Sequence, residues 1–141
     1  MAMAGLRFGY MMAHPEIARE VYKSKLPYNV NVFTLAAVET VIENRGVLNR
    51  GIEALVRERE RVFAELQKRG NVRAFPSTAN FILIRTAKSA HELFDQLYSH
   101  GVLVRDVSAY PLLDRCLRVS IGTPEENNRF LTALDRVLET K

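Results

Sequence analysis

An α+β fold is what the sequence predicts: a small antiparallel or mixed sheet with helices packed on one face, preceded by a long linking helix. Three observations point to it. Apolar residues recur at helical spacing up to about Leu66, and after Gly70-Asn71 they change to short alternating runs. Two of those runs, Asn80 to Arg85 and Cys116 to Ile121, are rich in strand-forming residues. The segments between them carry helix-start signals, so strands and helices interleave as βαββα with one extra strand ahead.

Each element follows from local chemistry. Leu6 to Ala13 reads as a strand, although no sheet is apparent for it to join. His14-Pro15 opens a short helix with Ile17, Val21 and Tyr22 as its apolar stripe, and Leu26 to Asn31 breaks it. Helical spacing resumes near Phe33 through Leu35, Ala36, Val38, Val41 and Ile42, until Asn44-Arg45-Gly46 interrupts. The long helix that follows places Ile52, Leu55, Val56, Val62, Phe63 and Leu66 on one side and a Glu53–Arg57 pair on the other, ending at Gly70-Asn71. Val72 to Phe75 is a strand, Pro76-Ser77 a turn, Asn80 to Arg85 a strand, and Ala90 to Ser99 a helix closed by His100-Gly101. Val102 to Asp106 is another strand, Ser108 to Arg115 a loop and Cys116 to Ile121 the last strand. Thr123-Pro124-Glu125-Glu126 starts the final helix as a capping box with proline in the first turn, and Phe130, Leu131, Leu134, Val137 and Leu138 form its buried side.

Composition narrows the function classes. With 141 residues, 48% hydrophobic and 26% charged, the chain can bury one core of ordinary domain size. Its net charge of +4 comes from 20 basic and 16 acidic residues that are interspersed, a weak argument for nucleic acid and better read as a mildly cationic surface. No apolar run approaches the roughly 20 residues of a membrane-spanning helix. The single cysteine, Cys116, forms no internal disulfide, and a reducing cytoplasm is the expected compartment.

Few side chains propose chemistry by themselves. In the last strand Cys116, Arg118 and Ser120 share one face, while Leu117, Val119 and Ile121 face the core. The ordinary reading of Arg118 is a solvated residue on a polar face; its rival is a guanidinium fork held on a rigid strand for a carboxylate or phosphate. Arg105 and Arg7 carry the same two readings. His14, His91 and His100 lack metal-ligand spacing, and no serine lies in a nucleophile context. Asn80 follows a turn and either completes it or presents its amide beside a ligand.

Read as a set, three stretches add a family. AGLRFGY at residues 4–10, FPSTANFIL at 75–83, and GVLVRD with CLRVSIGTPEEN between 101 and 127 resemble the C-terminal part of fold-type-I pyridoxal-phosphate aminotransferases, the histidinol-phosphate aminotransferases most of all. PYNVN at residues 27–31 is similar to a further segment of that family. The resemblance implies that residues 1–45 belong to the C-terminal edge of a large domain, 46–70 to a connecting helix and 71–141 to a small C-terminal domain. It implies that Arg7 binds the phosphate of pyridoxal 5'-phosphate, Arg118 the substrate α-carboxylate and Arg105 the substrate phosphate, with Asn80 facing the site. The implied reaction is amino transfer between L-histidinol phosphate and 2-oxoglutarate in histidine biosynthesis, by a homodimer; composition adds the expectation of a cytoplasmic protein that binds neither membrane nor nucleic acid. The family's Schiff-base lysine stands eight residues before the position of Arg7, and no lysine precedes Lys23. The expectation is therefore an inactive fragment of the enzyme. A stand-alone dimerisation or anion-binding module is the alternative outside the family; aromatic amino acid aminotransferase and threonine-phosphate decarboxylase are the alternatives within it.

Overall fold

The protein is described by a computed structural model covering residues 4–139. Among these residues the contacts divide the chain into two units, one up to residue 50 and one from residue 51. In the first unit a short 3-10 turn, Ala4–Leu6, leads into an irregular segment, followed by helices α1 (Pro15–Lys23) and α2 (Val32–Glu43). The strand expected over Leu6 to Ala13 does not form, because no strand among the described residues lies there to complete its hydrogen bonds. Helix α1 begins as the sequence suggests, with Pro15 in its first turn and the His14 ring accepting from the Glu16 amide at 3.4 Å. Helix α2 is capped by Asn31, whose Oδ1 accepts from the Thr34 amide at 2.9 Å.

Helix α3 (Arg45–Gln67) contributes most of its length to the second unit, which adds β1 (Val72–Phe75), β2 (Phe81–Thr86), α4 (Ala90–Ser99), β3 (Arg105–Asp106), β4 (Cys116–Ser120) and α5 (Pro124–Glu139). The four strands form one sheet in the order β1-β2-β4-β3, and all three pairings are antiparallel. Cross-strand register gives each face its character. Ile82, Ile84, Leu117 and Val119 point to the side where Val62 and Leu66 of α3, Leu93 and Leu97 of α4, and Phe130 and Leu134 of α5 bury them. The opposite face carries Arg73, Phe75, Phe81, Leu83, Arg85, Arg118, Ser120 and Arg105.

Two details of the sheet differ from expectation. The strand expected over Val102 to Asp106 is reduced to Arg105–Asp106. Gly101, at φ +73°, ends α4 with its amide on the Tyr98 carbonyl, and the Val102 amide bonds back to Leu97. This helix-ending motif holds Val102 away from the ladder until Arg105 rejoins β4. Cys116, expected on a polar face, is fully buried, since the Arg85 side chain lies over it with Nε 3.3 Å from Sγ. Close ion pairs along and just past α3 are Arg59–Glu60, Arg61–Glu58 and Lys68–Glu65, and the expected Glu53–Arg57 pair does not close.

The capping box of α5 is built as the sequence implies. The Glu126 amide bonds to Thr123 Oγ1 at 3.3 Å, and Glu126 Oε2 accepts from the Thr123 amide at 2.8 Å. A β-carbon on Gly122 would meet the Glu126 side chain, so a larger residue there would displace that carboxylate from its return bond. Buried Asn127 completes the corner, bonding to the amide and carbonyl of Gly122 and to Glu58 of α3.

Two carboxylates tie helices together at a pH-dependent strength. Arg69, just past the end of α3, donates to both oxygens of Asp135 on α5, at 2.6 and 2.7 Å, and holds the Asp135 pKa below its ordinary value. Hydrogen bonds from Arg61 and then Asn127 likewise lower that of Glu58. A depressed carboxylate contributes stability that is complete above its unfolded value and is lost as the pH falls through the folded one. The protein is therefore expected to lose stability below about pH 4. Asp135→Asn should flatten part of that loss by about 1 kcal/mol at most, since the carboxylate is partly solvated. Urea midpoints between pH 3 and 7 measure it; identical slopes in both proteins would contradict it.

Candidate functional site

The most unusual feature of the open sheet face is a pair of like charges. Arg105 of β3 stands directly across the ladder from Arg118 of β4. Like charges so placed oppose strand pairing. Among the described residues neither guanidinium is in an ion pair with an acid. The nearby Asp106 is engaged, with Oδ1 accepting from the Ser108 amide at 2.8 Å.

Arg118 is half-buried, and its Nε has no hydrogen-bond partner and almost no exposure. Its guanidinium carbon lies 5.4 Å from the centre of the Phe81 ring, which orients the fork and covers one side of it. Burying a charged donor without an acceptor costs free energy, and a carboxylate or phosphate between the two arginines would remove that cost and their mutual repulsion. Strand alternation thus places Arg118 off the core, as the sequence predicts, and the cross-strand register adds Arg105 beside it.

Asn80 lies in the bend just ahead of β2 and is exposed; its carbonyl accepts from the Ile121 amide at 2.9 Å. It sits beyond the strand ladder and does not join the arginine row. Arg59 donates to the neighbouring Ala79 carbonyl at 3.2 Å and the Ala79 amide bonds to Ser77 Oγ at 3.1 Å, so the turn that carries Asn80 is anchored.

Arg7 belongs to the first unit. It is exposed, adopts a left-handed backbone at φ 54°, and lines a concavity of about 230 Å³ with Asn29, Asn31, Thr34 and their neighbours. The AGLRFGY and PYNVN stretches, separate in sequence, are thereby brought together. Thr34 fastens them, donating from Oγ1 to the Leu6 carbonyl at 3.4 Å while its amide is capped by Asn31. An arginine, an asparagine side chain and the start of α2 are donors suited to a phosphate group. Asn29 and Phe81 escaped the sequence reading; the signal for Phe81 was its alternation with Leu83 and Arg85, and that for Asn29 was its place beside a helix cap.

No group of three histidine, cysteine or acidic residues among the described residues is arranged to hold a metal ion. No helix among them is long and apolar enough to cross a membrane.

Comparison with known proteins gives the frame for these arginines. The family model described as aminotransferase class I and II matches residues 1–134. The histidinol-phosphate aminotransferase of Aquifex aeolicus is 43% identical over 139 residues, 98% of this chain and 39% of its own length. Among solved structures, the histidinol-phosphate aminotransferase from Clostridium acetobutylicum superposes with a TM-score of 0.86 at 31% identity, covering 96% of this chain and 42% of that one. The L-threonine-O-3-phosphate decarboxylase from Porphyromonas gingivalis gives a TM-score of 0.84 at 27% identity, covering 96% and 43%. The chain thus spans less than half the length of the proteins it matches.

Proposed function

The chain belongs to the class I and II aminotransferase family, and from that premise we propose that residues 1–141 are the C-terminal portion of a pyridoxal-phosphate-dependent histidinol-phosphate aminotransferase. The observation that carries the reading is the Arg105–Arg118 pair, two cations without an anion on a rigid sheet face. The substrates of such an enzyme are anions. Arg118, with its unpartnered Nε, takes the carboxylate of the amino-acid or 2-oxo-acid substrate, and Arg105 takes the phosphate of histidinol phosphate. Asn80, on its anchored turn, borders the site.

Arg7 with Asn29, Asn31 and the start of α2 fits the phosphate of pyridoxal phosphate. When bound, that cofactor supplies the electron sink through which an amino group and a proton are exchanged with the substrate. Residues 1–141 contribute binding and orientation: one anion site for the cofactor, and the Arg105–Arg118 pair for the substrate anions. No lysine precedes Lys23, so the proton-carrying lysine that the family resemblance implies comes from polypeptide outside these residues. Alone, they are expected to give no turnover. The whole enzyme is a cytoplasmic homodimer in this reading.

A hybrid tests it. Residues 1–141, joined in place of the matching stretch of the Aquifex aeolicus relative, should transaminate histidinol phosphate with 2-oxoglutarate. A folded hybrid that holds pyridoxal phosphate and leaves histidinol phosphate unchanged would overturn the substrate assignment. The similarity to the threonine-phosphate decarboxylase supports a second reading, and release of carbon dioxide from threonine phosphate by the same hybrid would select it.

A further inference from the structure

We infer that Arg85 is a positioning residue for the substrate-anion site: it fixes the β3–β4 hairpin so that Arg105 stands beside Arg118. The inference rests on the reading of that pair as an anion site. Strand β3 is joined to β4 by only two register pairs, Arg105–Arg118 and Asp106–Leu117. One of the two sets cation against cation, so the pairing is opposed by the charges it must bring together.

The connection between the strands is itself costly to hold. Residues 107–116 contain three turn hydrogen bonds, Tyr110 to Val107, Leu113 to Tyr110 and Cys116 to Leu113. Leu112 and Arg115, neither of them glycine, have left-handed backbones at φ 67° and 56°. Such conformations persist where surrounding contacts impose them.

Arg85 makes those contacts from the neighbouring strand. It lies opposite Cys116 in the β2–β4 register, so its side chain leaves the sheet on the arginine face at the root of the hairpin. Its Nη2 donates to the Leu112 carbonyl at 2.8 Å, and its Nε lies 3.3 Å from the Cys116 sulfur. The Phe75 ring sits 5.7 Å from its guanidinium carbon and limits where the fork can point. One planar group thus holds the far end of the loop and the first residue of β4 together. A lysine, with a single point of charge, would keep the positive field and lose this two-ended grip.

Amide hydrogen exchange on the chain of residues 1–141, with inorganic phosphate as the anion, separates the possibilities. In Arg85→Gln the amides of Arg105 and Val107 should exchange at least tenfold faster, while that of Ile121, bonded to Asn80 on the β2 side at 2.9 Å, stays as in the parent. Phosphate should bind at least fivefold more weakly. Arg85→Lys should restore less than half of the lost protection. Unchanged exchange at Arg105 and Val107 in Arg85→Gln would overturn the inference, as would full recovery of phosphate affinity in Arg85→Lys, which would reduce Arg85 to a charge. Equal acceleration at Ile121 would also overturn it, by showing a general loss of stability. If the parent chain binds no phosphate, the anion site itself fails while the exchange results still decide the role of Arg85.

Discussion

Arg118→Ala in the hybrid enzyme raises the KM for 2-oxoglutarate by roughly 30-fold or more, the lower end of the 2 to 5 kcal/mol typical of truncating one member of a buried charge pair. The size follows from the surroundings. Arg118 is held by the sheet and stacked on Phe81, and its Nε has no acceptor of its own. If Arg118 takes the carboxylate as proposed, the parent enzyme gains a charge-assisted hydrogen bond without breaking an existing one, and the alanine variant loses all of that gain. Steady-state kinetics at fixed histidinol phosphate measures the effect. A KM within twofold of the parent would remove Arg118 from the site.

Arg105→Ala has a different signature. Histidinol phosphate is the phosphate ester of an amino alcohol, so its anionic group is the ester and it has no carboxylate. Losing one charged hydrogen-bonding partner costs about 1.5 to 3 kcal/mol, or roughly 10- to 150-fold in affinity. That loss should fall on histidinol phosphate and much less on unphosphorylated amino donors. The ratio of kcat/KM for histidinol phosphate to that for a plain amino acid should therefore drop at least tenfold. An unchanged ratio would mean that Arg105 senses negative charge in general and does not select the phosphate.

The sequence made the small sheet legible because its core strands obey alternation. Ile82 and Ile84, Leu117 and Val119 are apolar at every second position, and both strands appear where that pattern puts them. The capping box at Thr123 was legible for the same local reason, since its two partners lie three residues apart. What was not legible depended on partners distant in sequence. Leu6 to Ala13 has a strand's composition, and composition carries no information on whether a neighbour exists to accept its hydrogen bonds. Val102 to Val104 has one too, but the ending of α4 claims the Val102 amide first. Cys116 is polar by alternation and buried in fact, because Arg85, thirty-one residues earlier, folds over it.

The site was legible in part. Arg118 could be placed on a strand face from its neighbours, and the family resemblance supplied a reason to connect it with Arg105. Their position across one ladder is a matter of register between strands separated by a nine-residue loop, and periodicity cannot supply that number. The grouping of Arg7 with Asn29 and Asn31 likewise depends on the Thr34 hydrogen bond to Leu6, a contact spanning 28 residues.

The central claim is that Arg105 and Arg118 form a waiting anion site, and the unpartnered Arg118 Nε is its most direct reporter. In a nitrogen-15 correlation spectrum of the arginine Nε–H groups, titration of residues 1–141 with 2-oxoglutarate should shift the Arg118 resonance more than any other, with Arg105 next. A titration that reaches saturating 2-oxoglutarate, moves the exposed arginines and leaves Arg118 in place would contradict it.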